Sequence, residues 1–82
     1  MHYVYVIKSQ VDGRLYKGMT KNVKERVLQH NKGKTKTTKA YIPWDLVYFE
    51  QYQTIEEART REKYLKSGVG REFLKSLLLS TK

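Results

Sequence analysis

The hydrophobic pattern at the start of the chain predicts a β-hairpin. Residues 3–7 form a β-branched and aromatic run, Tyr-Val-Tyr-Val-Ile, which is typical of a strand. The pair Asp12-Gly13 is a turn signal, and residues 15–19 then predict the antiparallel partner strand. The chain is therefore expected to open with two paired strands.

Tyrosines and a glycine would meet on one face of this hairpin. Because successive side chains of a strand point to opposite faces, Tyr3, Tyr5 and Ile7 share one face of the first strand. Tyr16 and Gly18 share one face of the second, so Tyr5 and Tyr16 become cross-strand or diagonal neighbours. Paired tyrosines alone fit packing as well as chemistry. A glycine inside a strand indicates that another backbone or a ligand comes close.

A helix and a basic segment follow the hairpin. Thr20 or Asn22 can cap the helix, and Glu25, three residues after Asn22, is close to a capping box. The helix should end shortly before Gly33. Residues 32–43 are rich in Lys and Thr and have no apolar period, which predicts a mobile basic loop.

The second half of the chain predicts one strand and two helices. Residues 45–52 are mostly apolar, which predicts a third strand that is central in the sheet or covered. Thr54 with Glu57 is a second capping signal, for a helix that runs to about Ser67. After two glycines, residues 71–79 predict a third helix with an apolar stripe. The order β-β-α-β-α-α predicts an α+β fold: a three-stranded, mostly antiparallel sheet flanked by helices.

Three polar side chains fall on helix faces that should be turned to the sheet. At about 100° per residue, Arg26 and His30 lie on the apolar arc of the first helix. Glu62 shares its arc with Ile55 and Leu65 on the second helix. A carboxylate in such a place is costly unless it is paired or liganded. One interpretation is an internal Arg26–Glu62 ion pair beside a satisfied histidine; the other is a pocket edge on which all three converge.

Length and composition restrict the class of protein. The 82 residues permit a single domain over residues 1–82, and 39% hydrophobic with 30% charged residues is typical of a folded chain. No apolar run approaches the roughly 20 residues of a membrane span, and the first ten residues lack the order of a signal peptide. The absence of cysteine excludes disulfides and thiolate metal sites. We therefore expect a small, soluble, cytoplasmic protein.

Positive charge is concentrated in the first half of the chain. The net charge is +9, and residues 1–40 hold ten Lys and Arg against two acids. Residues 41–82 hold seven Lys and Arg against six acids. So localised an excess indicates contact with phosphates rather than a solubilising surface. The cations expected to bind nucleic acid are Lys17, Lys21, Lys24, Lys32, Lys34, Lys36 and Lys39.

At this point a family resemblance is visible. Tyr3-Val4-Tyr5 and, about ten residues on, Tyr16-Lys17-Gly18 resemble the paired motif of the GIY-YIG nuclease superfamily. The chain is similar in size to the small stand-alone bacterial members of that superfamily. The match extends over roughly residues 3–67 and includes Thr20, Arg26, His30-Asn31, Pro43-Trp44, Ala58 and Glu62.

The resemblance implies a metal-dependent DNA endonuclease, acting in DNA repair or processing. Tyr5 and Tyr16 match the two motif tyrosines, and Arg26 matches the arginine that holds the phosphate. His30 matches a His or Tyr position that relays a proton or hydrogen-bonds Tyr5. Glu62 matches the carboxylate that holds one divalent metal, Mg²⁺ or Mn²⁺. On the resemblance alone, Tyr16 rather than Tyr5 is the base that activates water; the residues themselves leave this open.

The sequence departs from the family pattern at two points. Lys17 stands where the second motif has an aliphatic residue, and its side chain should point away from Tyr16. No Asn follows the helix that carries Glu62, since the asparagines are Asn22 and Asn31. The support that this Asn gives to the site is then either missing or replaced by a polar group in residues 67–71.

Several partners and functions fit these observations. We expect a monomer that grips branched or damaged DNA through residues 32–39, Tyr41 and Trp44, with RNA left open and no membrane partner. Backbone contacts of this kind carry no sequence information. The alternatives are a non-catalytic nucleic-acid-binding module on the same scaffold and a protein-interaction domain whose basic face meets an acidic partner.

Overall fold

A computed structural model describes residues 1–80 of the chain. Within them the α+β class and the order β-β-α-β-α-α are confirmed. No helix in this part of the chain is long and apolar enough to span a membrane. The elements are β1 His2–Ser9, β2 Leu15–Thr20, α1 Val23–Asn31, a 3₁₀ turn Lys39–Tyr41, β3 Trp44–Tyr52, α2 Ile55–Lys66 and α3 Gly68–Ser80.

The three strands form one antiparallel sheet in the order β2-β1-β3. Of the two arrangements predicted for the third strand, the central one is wrong, because β1 pairs on both sides and β3 lies at an edge. The strand is instead covered in part, since Val47, Tyr48 and Tyr52 pack against the core on one face. The apolar composition of β3 comes partly from side chains that stay exposed, and Phe49 is 51% accessible. A register shift between Val6 and Ile7 interrupts the β1–β3 ladder, as is common at sheet edges.

Two small cores lie on opposite faces of β1. Side chains alternate along a strand, so β1 contributes residues to both cores. The helix α1 covers one face of the sheet, and α2 and α3 cover the other. The core beneath α2 and α3 consists of Val4, Val6, Ala58, Leu65 and Leu74. The core beneath α1 contains Tyr5, Ile7 and Trp44.

Polar caps set the starts of the first two helices. The Asn22 side chain accepts the Glu25 N–H at 3.1 Å, and Thr54 and Glu57 form a complete capping box. Each cap satisfies N–H groups that the first helical turn leaves without a partner. Both predicted starts are therefore confirmed. Ile55, placed on the inward arc of α2 by helical arithmetic, is instead exposed, because it is the first residue of the helix.

α3 begins at Gly68, three residues before the predicted start. Ser67 allows this, because its Oγ accepts the N–H of Gly70 at 3.2 Å. The glycines thus lie inside the helix and do not separate it from α2. A β-carbon on Gly70 would collide with the carbonyl oxygen of Tyr64, so glycine is what permits α2 and α3 to approach here.

The basic loop, residues 32–43, is tied to the sheet at its second half. The Ser9 Oγ donates to the carbonyl of Tyr41 at 2.7 Å. The Asn31 side chain accepts the Trp44 N–H at 2.7 Å and donates to the Trp44 carbonyl at 3.0 Å. The loop thus contains a 3₁₀ turn that the sequence pattern did not predict, and side chains of β1 and α1 satisfy backbone groups of this turn and of the start of β3.

Gly18→Ala is expected to lower the free energy of unfolding by about 1–3 kcal/mol, the usual cost of overpacking. A β-carbon at Gly18 would lie 2.5 Å from the hydroxyl oxygen of Tyr5, whose ring is buried. Urea unfolding followed by circular dichroism measures the change. Gly68→Ala is the matched control, because nothing lies within 4 Å of a β-carbon there. Unchanged stability of Gly18→Ala would show that Tyr5 moves aside freely.

Candidate active site

The Tyr5 hydroxyl is bonded to one predicted site residue, His30, and the Tyr5 ring lies beside another, Tyr16. Tyr5 lies opposite Gly18 in the sheet, and its ring extends over the space that a larger residue there would fill. Its hydroxyl lies 2.8 Å from Nε2 of His30, at the end of α1. Only 1% of the Tyr5 surface is accessible. The close approach of the Tyr5 side chain to β2 therefore explains why residue 18 is a glycine.

His30 is completely buried and bonded at both ring nitrogens. Its Nδ1 lies 2.8 Å from Oγ1 of Thr38, which in turn donates to the carbonyl of Thr35 at 3.4 Å. Burial, followed by the charge of Arg26, lowers the pKa of His30 below its usual value of 6.5. The imidazole is therefore neutral at pH 7.

Arg26 lies one helical turn before His30, and its guanidinium is half-buried. It donates to Oε1 of Gln29 at 2.9 Å. Burial raises the pKa of Tyr5 above 10; a hydrogen bond and the charge of Arg26 act in the opposite direction, and Tyr16 and Glu62 add to the rise. Arg26, Tyr16 and Glu62 therefore all act electrostatically on one hydroxyl group.

Tyr16 is the diagonal neighbour of Tyr5 across the hairpin, as one of the two predicted arrangements had it. Their ring centroids lie 6.4 Å apart. Tyr16 also contacts the edge of the His30 ring, with centroids 5.0 Å apart, and the Trp44 ring at 6.4 Å. These contacts hold the Tyr16 ring over the histidine, while the residue stays partly exposed.

Glu62 is the carboxylate that the sequence predicts for the site. It lies on α2, 20% of its side chain is exposed, and it pairs with Lys66 at 3.3 Å. The alternative internal pair with Arg26 is not formed among the described residues. No cluster of three or more His, Cys, Asp or Glu suited to a metal occurs in residues 1–80. An ion bound at Glu62 would therefore take most of its ligands from water or substrate.

A second cluster of titratable groups lies on the other face of the sheet. Arg61 donates to both carboxylate oxygens of Glu50, at 2.8 and 3.0 Å, and Tyr48 and Tyr52 donate to the same carboxylate. Burial, with the hydrogen bond to Glu50, raises the pKa of Tyr52 to about 12. The Glu50 carboxylate is satisfied by these three neighbours, so the cluster is a structural ion pair that joins β3 to α2.

The predicted nucleic-acid contacts divide into two groups. Lys17 faces the α2 and α3 side, away from Tyr16, and its pKa is lowered by burial and by the nearby Arg71 and Lys66. Trp44 is buried and cannot grip a substrate, which corrects that expectation. Exposed lysines on the α1 and loop side are Lys21, Lys24, Lys32, Lys34, Lys36 and Lys39. A pocket of about 150 Å³ beside them is lined by Thr20, Lys21, Asn22, Glu25, Arg26 and Gln29.

Sequence reasoning missed Thr38. In the 67–71 segment, which was one place expected to replace the missing Asn, Ser67 makes its hydrogen bonds elsewhere. Thr38 is 1% exposed, yet it stands in a segment of lysines and threonines with no apolar period to single it out. The Oγ of Ser67 donates to the carbonyl of Tyr64 at 2.5 Å and caps α3. Its polar atoms therefore serve the junction of the two helices.

Several known proteins share this sequence pattern and this fold. The family model described as GIY-YIG catalytic domain matches residues 1–74. The UPF0213 protein SERP0126 of Staphylococcus epidermidis is 44% identical over 77 residues, which cover 93% of each chain. The UPF0213 protein SA0446 of Staphylococcus aureus is 46% identical over 67 residues, or 80% of each chain. The solution NMR structure of the UPF0213 protein BH0048 from Bacillus halodurans shares 37% identity and a TM-score of 0.57, covering 93% of this chain and 83% of that one.

Proposed function

The chain belongs to the GIY-YIG catalytic domain family, and we propose that it is a metal-dependent endonuclease that hydrolyses phosphodiester bonds of DNA in repair or processing. One observation carries the proposal: the Tyr5 hydroxyl lies 2.8 Å from Nε2 of the buried His30, and the Tyr16 ring packs beside both rings. A guanidinium, a carboxylate and a proton acceptor are the groups that hydrolysis of a phosphodiester needs together.

Arg26 is proposed to bind the phosphate under attack. Its guanidinium stays charged at all physiological pH values and matches two non-bridging oxygens with parallel hydrogen bonds. Gln29 holds it from one side at 2.9 Å, which reduces the number of positions that it samples. Charge that develops on the phosphoryl oxygens would therefore meet a cation that is already oriented.

Glu62 would hold one Mg²⁺ or Mn²⁺. A single carboxylate suits Mg²⁺, which keeps several waters and takes further oxygens from substrate phosphate. Lys66, the present partner of Glu62, has 55% of its side chain exposed, so it can release the carboxylate at little cost. When bound at Glu62, such an ion would supply positive charge to the phosphoryl and leaving oxygens.

Tyr5 and His30 are proposed to take the proton of the attacking water. The Tyr5 oxygen accepts that proton as its own passes to Nε2 of His30, 2.8 Å away. The neutral imidazole has a free lone pair that can accept a proton in passing, whereas a lone phenol with a pKa of about 10 is protonated at pH 7 and has no such acceptor beside it. The hydrogen bond thus favours Tyr5 over the Tyr16 assignment that the resemblance alone suggests. Tyr16, packed on His30, would orient the water.

Cleavage of plasmid and branched DNA tests the proposal directly. Purified protein with Mg²⁺ or Mn²⁺ should nick or cut at least one of these substrates, and EDTA should stop the reaction. Gel analysis over a series of enzyme concentrations measures the rate. Failure to cut any DNA structure with either metal would overturn the proposed activity.

A non-catalytic nucleic-acid-binding module is the second candidate. The observation that favours it is the Glu62–Lys66 ion pair, together with the absence of an Asn after α2. It requires salt-sensitive binding without turnover, and a DNA affinity that does not change when metal is added. Cleavage by the protein at a rate proportional to its concentration would exclude it.

Removing lysines of the basic loop is expected to weaken DNA binding uniformly across sequences. The double variant Lys36→Ala with Lys39→Ala should lower the slope of log affinity against log salt by about 0.9 for each duplex phosphate that is no longer neutralised. Fluorescence anisotropy at several salt concentrations measures it. Lys63→Ala with Lys75→Ala, exposed lysines of α2 and α3, should leave the slope unchanged. Equal slopes for wild type and both double variants would show that the loop lysines do not neutralise DNA phosphates.

A further inference from the structure

Thr38 continues the chain of hydrogen bonds that begins at Tyr5. The Tyr5 hydroxyl and the Thr38 hydroxyl lie on opposite sides of the His30 ring, each 2.8 Å from a ring nitrogen. All three side chains are 1% exposed or less. Because the His30 ring and Thr38 are shielded from bulk solvent, the choice of tautomer rests with the two hydroxyl groups.

The direction of the bonds follows from the buried Tyr5 hydroxyl. Oγ1 of Thr38 lies 2.8 Å from Nδ1 of His30 and 3.4 Å from the carbonyl of Thr35, so it can accept from Nδ1–H while it donates to the carbonyl. Only this direction leaves Nε2 able to accept the proton of the Tyr5 hydroxyl. The proton of the neutral ring is then on Nδ1, and Nε2 carries the lone pair. Nε2 consequently accepts from Tyr5, and the Tyr5 oxygen keeps a lone pair for a ligand.

We propose that Thr38 is a positioning residue that fixes the Nδ1–H tautomer of His30 and thereby aims the Tyr5 proton at Nε2. The inference rests on the proposed function, since the tautomer matters only if Tyr5 and His30 accept a proton. With the opposite tautomer, Nε2–H would donate to Tyr5, and the imidazole would have no lone pair there to receive its proton.

The Thr38 side chain can be altered without removing the other contact of this residue. The Trp44 indole N–H donates to the backbone carbonyl of Thr38 at 2.9 Å, which a change of side chain leaves in place. Thr38→Val keeps the shape and deletes the hydroxyl, and Thr38→Ser keeps the hydroxyl and deletes the methyl group. Comparison of the two separates the hydrogen bond from packing.

Nitrogen-15 NMR of the histidine rings tests the tautomer without any substrate. The chain has two histidines, so His2 serves as an internal reference. We expect wild type and Thr38→Ser to show Nδ1–H at His30, and Thr38→Val to show a mixture or the Nε2–H form. An unchanged Nδ1–H tautomer in Thr38→Val would overturn the proposal. Thr38→Ala replaces Thr38→Val in the comparison if the latter does not fold.

Kinetics then link the tautomer to catalysis. Thr38→Val should lower kcat by about 10–100-fold, the usual range for an orienting partner, with KM and the salt slope unchanged, and Thr38→Ser should restore the rate. A proportional rise in KM would indicate a structural role in the loop and count against positioning. If wild type cuts no DNA, the proposed function fails, while the NMR result still decides whether Thr38 sets the tautomer.

Discussion

Glu62→Gln is expected to lower metal-dependent DNA cleavage by at least about 100-fold, more than the removal of a group that only orients a metal ligand usually costs. Glutamine keeps the shape of the side chain but removes the negative charge that a single-carboxylate site offers to a divalent ion. DNA affinity measured without metal should be unchanged or slightly higher, because an anion near the phosphate path is removed. Cleavage assays and fluorescence anisotropy on the same DNA measure the two effects.

The folded state should tolerate this change. The Glu62–Lys66 pair spans one helical turn and is partly exposed, so its loss costs about 0.3–0.5 kcal/mol. Glu56→Gln, the same substitution at an exposed position of α2, is the matched control and should cut DNA like wild type. Equal cleavage by Glu62→Gln and wild type would mean that the activity comes from a contaminant or from a different carboxylate.

The order of elements was predictable because each one is encoded locally. Capping pairs such as Thr54 with Glu57, and the turn at Asp12-Gly13, mark boundaries that depend on a few neighbouring residues. The place of β3 in the sheet was not predictable in this way. Strand order depends on pairing between distant segments. An apolar run occurs in central strands and also in edge strands whose aromatic side chains pack beneath a helix, so it does not distinguish the two.

The candidate site was predictable on its helices and not in its loop. Helical periodicity brought His30 and Arg26 to the inner face of α1, where the structure has them buried and half-buried. It could not reveal that Thr38 is buried, because an irregular segment has no period. The same limit explains Trp44, whose indole lies in the core although its position beside a basic loop suggested a surface contact.

Tyr5→Phe is expected to lower kcat by about 10²–10⁴-fold, the range for losing a positioned proton acceptor. The ring and its packing over Gly18 remain, but the oxygen that would receive the water proton is removed. Nε2 of His30, 2.8 Å from that oxygen in wild type, is left buried without a partner. The free energy of unfolding should therefore fall by about 1–3 kcal/mol. Steady-state kinetics and urea unfolding measure the two losses separately.

Tyr16→Phe decides between the two tyrosines. If Tyr16 only orients the water, its loss should cost less than that of Tyr5; a larger loss for Tyr16→Phe would reassign the base to Tyr16. The pH profile gives an independent criterion. Burial and Arg26 lower the pKa of His30 below 6.5, and only the neutral ring can accept a proton. The midpoint of the decline in wild-type kcat with falling pH should therefore lie below 6.5, and a midpoint well above pH 7 would exclude His30 as the acceptor.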